Sequence, residues 1–400
     1  MIVHAVARAA LVGVAAIFAG ATGSPAAGYK VLYALQTNVG VSPLGGLFED
    51  ASGDLFGTAY AGGSGTACAE NCGTVFELAT NGSGFALHNF TGNLSDGEHP
   101  SAGLVAAKHG NSYGTTELGG ANNDGAIFRL APGGRETLLY SFTDKSDGGA
   151  PLDRLLLDKA GNLYGTSSGT VVGGYGAVFK LAKDGTFTVL YTFTDGSDGA
   201  NPYGGLIADK SGNLYGTAQN AGNFSCGASG GCGVVYKIAP GGGETVLYAF
   251  NGGPGDCSGP TDGVIADKSG NLYGTTYYGG SNGQGCIFKL ATDGTATMLH
   301  SFTGNGGDGL NPEGGLIQDA KGNFYGTTLQ GGKKRLGIVF RLAPDGTETV
   351  LHTFAGGSDG QNPWAGLIGG GNGMLYGTTE AGGGGTGCSR GCGTIFEVKE

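Results

Sequence analysis

The chain has little positive charge: 21 Lys plus Arg among 400 residues, against 32 Asp plus Glu, for a formal net charge of -11. No basic stripe can be drawn from so few cations, which excludes the electrostatic footprint of a nucleic-acid-binding protein. Long apolar runs are absent after Ala27, so the sequence offers no second membrane span. Hydrophobic residues make up only 39% beside 88 glycines, and that balance excludes a long-helix protein. The glycines lack the strict period of collagen, and short runs of Val, Leu, Ile, Tyr and Phe return too regularly between them for disorder. No complete catalytic or cofactor motif is present. The histidines have no Ser, Cys or metal-ligand constellation beside them in sequence, and His300 and His352 stand where other repeats carry Tyr191 and Tyr248, a structural substitution.

What is present begins with an N-terminal leader. Met1 to Ala27 has Arg8, an apolar stretch from Ala9 to Ala19, and then small residues, the pattern of a secretory signal peptide with cleavage expected after Ala21 or near Ala26 and Ala27. A retained anchor is the weaker alternative, because the run is short for a span and no stop-transfer flank follows. The expected localisation is secreted, extracellular or on the outer cell surface, with the periplasm as an alternative. Eight cysteines agree with export. Cys68 and Cys72, Cys226 and Cys232, and Cys388 and Cys392 form local pairs, leaving Cys257 and Cys286 as the fourth. Zinc is the competing reading of such spacings, but disulfides are preferred in an exported chain without a matching histidine cluster.

Residues 28–400 read as one domain written seven times. Pro43, Pro100, Pro151, Pro202, Pro260, Pro312 and Pro363 each precede, at a constant distance, the glycine of a YGT-type motif: Gly57, Gly114, Gly165, Gly216, Gly274, Gly326 and Gly377. A period above fifty residues indicates stacked supersecondary units. One unit holds four short strands: GLIAD (Gly205 to Asp209), NLYGT (Asn213 to Thr217), VVYKI (Val234 to Ile238) and TVLYAF (Thr245 to Phe250). DKSGN and APGGGE separate them with residues that make tight hairpin turns. The seventh unit ends at TIFEV, Thr394 to Val398, without a fourth strand, whereas Tyr29 to Leu35 has the missing pattern at the front of the domain. The expected fold is all-β: a seven-bladed propeller with four-stranded antiparallel blades, its last blade closed by the N-terminal strand. A parallel β-helix is the competitor, disfavoured by the hairpin turns within each unit.

The combination PxGGLxxDxxGNLYGT followed by GxVFKL resembles the Gloeo/Verruco (GloVer) repeat of secreted or surface-associated bacterial proteins, over Pro43 to Val398. Its most specific pieces are Asn162 to Thr166, Asn213 to Thr217, Asn271 to Thr275 and Asn323 to Thr327. That resemblance implies no common activity. The strand order is also similar to NHL-type propellers, which implies that GLIAD is innermost. Arg154, in place of the second glycine, and the Gly370 to Met374 turn depart from the pattern.

Two sets of positions vary inside the constant frame. After each proline stand Leu44, Ser101, Leu152, Tyr203, Thr261, Glu313 and Trp364; two residues beyond each YGT threonine stand Tyr60, Glu117, Ser168, Gln219, Tyr277, Leu329 and Glu380. Both are expected near one rim of the central opening. Tyr203, Trp364, Tyr277 and Tyr60 offer stacking faces and Glu117, Glu313 and Glu380 offer acceptors, a ligand-binding set suited to an extracellular glycan or peptide. The equally available bland reading has the aromatics covering blade junctions and the glutamates solvated. Asp195 and Asp198, with Asp144 and Asp147, invite local calcium, although other copies lack the first aspartate; no other cofactor is expected. A monomeric, non-enzymatic binding or structural module is favoured, and the alternative is an extracellular polysaccharide hydrolase or lyase, with Glu117 and Glu380 as an acid/base pair.

Overall fold

A computed structural model describes residues 28–400 apart from 66, 69–70, 144–146, 170–173, 227–229, 372 and 386. Residues 1–27, where a signal peptide is expected, lie outside the described residues. Each repeat folds into one antiparallel sheet, giving seven four-stranded blades. Blade 4 shows the order from axis to rim: Ile207–Ala208, Leu214–Ala218, Val234–Ile238 and Glu244–Ala249. The innermost strand is two residues long, shorter than the five of GLIAD. The seventh sheet takes Ile368–Gly369, Met374–Thr379 and Thr394–Lys399 from one end of the chain and Tyr29–Ala34 from the other, with Tyr29 opposite Val398 and Ala34 opposite Thr394. Closure of this kind leaves no blade face exposed at a chain end.

The repeat motif is consumed by three local jobs. In DKSGNLY the Asp209 carboxylate accepts hydrogen bonds from the backbone N–H of Ser211 (2.8 Å) and Asn213 (2.9 Å), from the Asn213 amide (2.7 Å) and from the Tyr215 hydroxyl (3.0 Å). Asp158, Asp267 and Asp319 receive the same tyrosine bond at 3.2, 3.0 and 3.2 Å. The glycine of YGT lies under the aromatic ring of the third strand: a Cβ on Gly165 would sit 2.6 Å from Phe179 and one on Gly377 2.5 Å from Phe396. The YGT threonine reaches into the next blade. Thr58 donates to the Ala102 carbonyl at 2.7 Å, Thr217 to Asp262 at 2.8 Å and Thr327 to Ala365 at 2.9 Å, and Thr378 closes the ring on Pro43 at 3.3 Å.

Between blades the core is an aromatic zipper. The phenylalanine ending one outer strand meets, edge to face, the aromatic ring of the next blade's third strand: Phe90 with Phe128, Phe142 with Phe179, Phe193 with Tyr236, Phe250 with Phe288, Phe302 with Phe340 and Phe354 with Phe396, all with ring centroids 5.1 to 5.4 Å apart. Such pairs contribute about 0.5–1.5 kcal/mol each beyond the area they bury. All eight cysteines are paired, as Cys68–Cys72, Cys226–Cys232, Cys257–Cys286 and Cys388–Cys392. Among the described residues no helix is long and apolar enough to cross a membrane.

Candidate functional site

The inner strands of all seven blades line an axial channel, with a lower cavity of about 600 Å³ walled by Val105, Leu156, Ile207, Ile265, Ile317 and Ile368 among others. Above it is a mouth of about 330 Å³. The seven residues that follow the anchor prolines, Leu44, Ser101, Leu152, Tyr203, Thr261, Glu313 and Trp364, all line this mouth, because the proline fixes the same entry angle in every blade. Of the second variable set only Glu117 and Gln219 reach it. Tyr203, Trp364, Glu117 and Glu313 are therefore brought together, whereas Tyr60, Tyr277 and Glu380 stand outside the lining. Tyr60 stacks on His99 with centroids 4.4 Å apart and hydrogen-bonds the Glu117 carboxyl. Tyr277 packs against Tyr278, and Glu380 faces Arg390 at 4.0 Å. The Glu117–Glu380 acid/base pair does not form at the mouth.

Glu313 is the most perturbed glutamate of the site. Burial, reinforced by the negative charge of Asp262, pushes its carboxyl up to about 8, and its Oε2 is buried without a hydrogen-bond partner. Burial also raises Glu117, against the opposing bond from Tyr60. Both groups are carboxylic acids whose charged form the cavity resists.

The sequence reading missed a second pair. Five repeats carry Gly or Ala two residues after the proline, but blades 3 and 5 carry Asp153 and Asp262. Asp153 lines both the mouth and the cavity below it, Asp262 lines that cavity, and the two carboxyl groups lie close enough to interact electrostatically. Asp262 also accepts the N–H of Gly263 and of Gly315, each at 2.5 Å, and Asp153 accepts that of Arg154 at 2.5 Å. Burial raises both, and the charge of Asp262 raises Asp153 further. Departure from Gly or Ala to Asp at that position in two repeats was the available signal.

The loop aspartates that invited calcium are hydrogen-bond hubs. Asp198 accepts from the Thr194 N–H (2.8 Å), the Thr194 hydroxyl (2.7 Å) and Tyr191 (3.0 Å), and Asp147 does the same with Thr143 and Tyr140. This loop-closing role accounts for repeats that keep the second aspartate and drop the first; Asp144 lies outside the described residues. A candidate metal-coordinating group occurs elsewhere. His300, Asp308 and Glu348 each bring one ligand atom to within 4.8 Å of the others, at the outer junction of blades 5 and 6. This corrects the expectation that His300 has no metal-ligand constellation, since Glu348 reaches it only through the packing of a neighbouring blade.

The fold is shared with solved structures of low identity. The extracellular domain of a candidate hybrid two component system from B. thetaiotaomicron is 12% identical, with a TM-score of 0.55 over 94% of this chain and 41% of that one. The extracellular domain of a candidate one component system from the same organism is 11% identical, with a TM-score of 0.53 over 92% and 39%. A candidate 6-phosphogluconolactonase from Bacteroides uniformis is 18% identical, with a TM-score of 0.50 over 79% and 87%. The chain spans about two fifths of the two B. thetaiotaomicron chains. No curated protein matches it.

The preference for a non-enzymatic binding or structural role is overturned by the ionisable groups themselves. The His300, Asp308 and Glu348 cluster and a mouth carboxyl tuned to about 8 are equipment for acid–base or metal-assisted chemistry that a purely structural ring does not require. The Gloeobacter/Verrucomicrobia repeat matches residues 16–143, 66–256 and 224–400, overlapping spans that run through every blade, and the chain belongs to that repeat family.

Proposed function

We propose that the protein is an extracellular polysaccharide-degrading enzyme, a hydrolase in the first instance, with its active site at the axial mouth. The observation that carries this reading is Glu313: a buried carboxyl, protonated at neutral pH, with an unpartnered oxygen in a cavity bordered by Trp364 and Tyr203. The two aromatic rings offer faces for sugar rings. Glu313 donates its proton to the departing glycosidic oxygen as the carbon–oxygen bond breaks, and a carboxylate of the neighbouring Asp153 and Asp262 accepts the proton of the attacking water. Four disulfides support an oxidising, extracellular destination for the chain.

Incubation of the purified protein with a panel of polysaccharides, followed by reducing-end analysis, tests the proposal. New reducing ends are expected, and Glu313→Gln should lose about 10²–10⁴-fold in turnover with a melting temperature no lower than that of the wild type. Because Glu313 works protonated, wild-type turnover should fall as pH rises through about 8. Unsaturated product ends would assign elimination to the same site. Glycans bound but left intact, or full turnover by Glu313→Gln, would overturn the assignment.

A further inference from the structure

We propose that the outer junction between blades 5 and 6 binds one divalent transition-metal ion through His300 Nε2 and one carboxylate oxygen each of Asp308 and Glu348. The inference is independent of the axial reading. It rests on a comparison the molecule makes with itself.

At each junction three positions meet: the fifth residue of one outer strand, the aspartate of the loop that follows it, and the first residue of the next outer strand. Blades 1 and 2 supply His88, Asp96 and Glu136; blades 3 and 4 supply Tyr191, Asp198 and Glu244; blades 5 and 6 supply His300, Asp308 and Glu348. At the other junctions the third position is Phe187, Ala296, Tyr29 or Gly84, so the fold does not require glutamate there. Phe187 and Tyr29 instead stack on Tyr140 and His352, with centroids 3.8 and 3.5 Å apart.

The three glutamate junctions then differ in what is already bonded. His88 Nε2 lies 3.4 Å from Asp96, and Tyr191 donates to Asp198 at 3.0 Å. His300 Nε2 is 3.8 Å from Asp308, at ion-pair distance but beyond hydrogen-bond length, and is buried with no hydrogen-bond partner. Glu348 Oε1 is buried without one as well. Glu136 and Glu244 share that deficiency, but they face pairs that are already closed. Two unsatisfied polar atoms turned into one space each carry a desolvation cost, and a cation there would answer both.

The surroundings suit a metal. Asp308 is held by the Thr303 N–H and hydroxyl, both at 2.7 Å, and by the Gly309 N–H at 2.6 Å, which fixes the carboxylate while leaving lone pairs free. The His300 ring is set edge-on against Phe302, with centroids 4.7 Å apart. One imidazole and two carboxylates favour zinc-like ions over calcium, which takes six to eight oxygens, and three protein ligands leave a fourth place for water.

Zinc chloride titrated into metal-stripped protein in a calorimeter tests this directly. No cysteine is free to compete for the ion. One zinc per chain and a raised melting temperature are expected. His300→Ala and Glu348→Gln should each weaken binding at least tenfold, and His88→Ala should leave it unchanged. No binding by the folded wild type, a site that survives both variants, or a site lost with His88 would overturn the proposal. Should the variants misfold, anomalous scattering from zinc-soaked wild-type crystals decides it, by a peak at His300 or its absence there.

Discussion

The axial mouth and the outer rim both hold carboxyl groups pushed toward neutrality, but their neighbours differ. Glu313 borders a cavity with two aromatic rings around it. Glu136 and Glu244 are wedged between outer strands, where burial, followed by the charges of Asp96 and Asp198 respectively, raises each to about 7. The same electrostatic cost is therefore a chemical resource at the mouth, where a substrate can relieve it, and a load on stability at the rim.

Variants can separate the two. The largest effect belongs to the mouth, where Glu313→Gln should abolish most turnover without lowering the melting temperature. Replacing Trp364 and Tyr203 together by Ala should raise KM about tenfold, equivalent to about 1.4 kcal/mol, with a smaller change in kcat; an unchanged KM would remove the rings from substrate binding. Thr378→Val cuts the ring-closing bond beneath the mouth and should lower stability by about 1 kcal/mol in denaturant titration.

The smallest effect lies at the rim and shows as pH dependence. The folded-state values of Glu136 and Glu244, about 7, lie above the ordinary 4.5, so the native state binds more protons between those limits. Their contribution to stability is complete below about pH 4.5 and is lost as pH rises through about 7. Glu136→Gln with Glu244→Gln should match the wild type in melting temperature at pH 4.5 and exceed it at pH 8, with turnover unaltered. Parallel melting curves across that range would show that the rim glutamates do not carry this load.

Much of the architecture was legible because its causes are local and repeated. The turn of DKSGN, the glycine beneath an aromatic ring and the strand supplied by Tyr29–Ala34 recur in spacing or complete a visible gap. The hydrogen bond from the YGT threonine to the next blade was not legible, since its acceptor lies about forty residues away. The mouth was half legible. Positions after the proline converge as expected, whereas those beyond YGT diverge because Tyr60 and Tyr277 turn onto adjacent rings.

By itself the sequence determined seven blades, their order and the closing strand, all set by period and short-range chemistry. Only the tertiary structure decided which charges meet. Asp153 and Asp262 come from blades 3 and 5 and approach each other only in the axial channel, and His300 and Glu348 come from adjacent blades and approach each other only at the rim. Closing the ring brings these groups together, and burial there, where water cannot screen them, gives carboxyl groups spread along the chain their shared character.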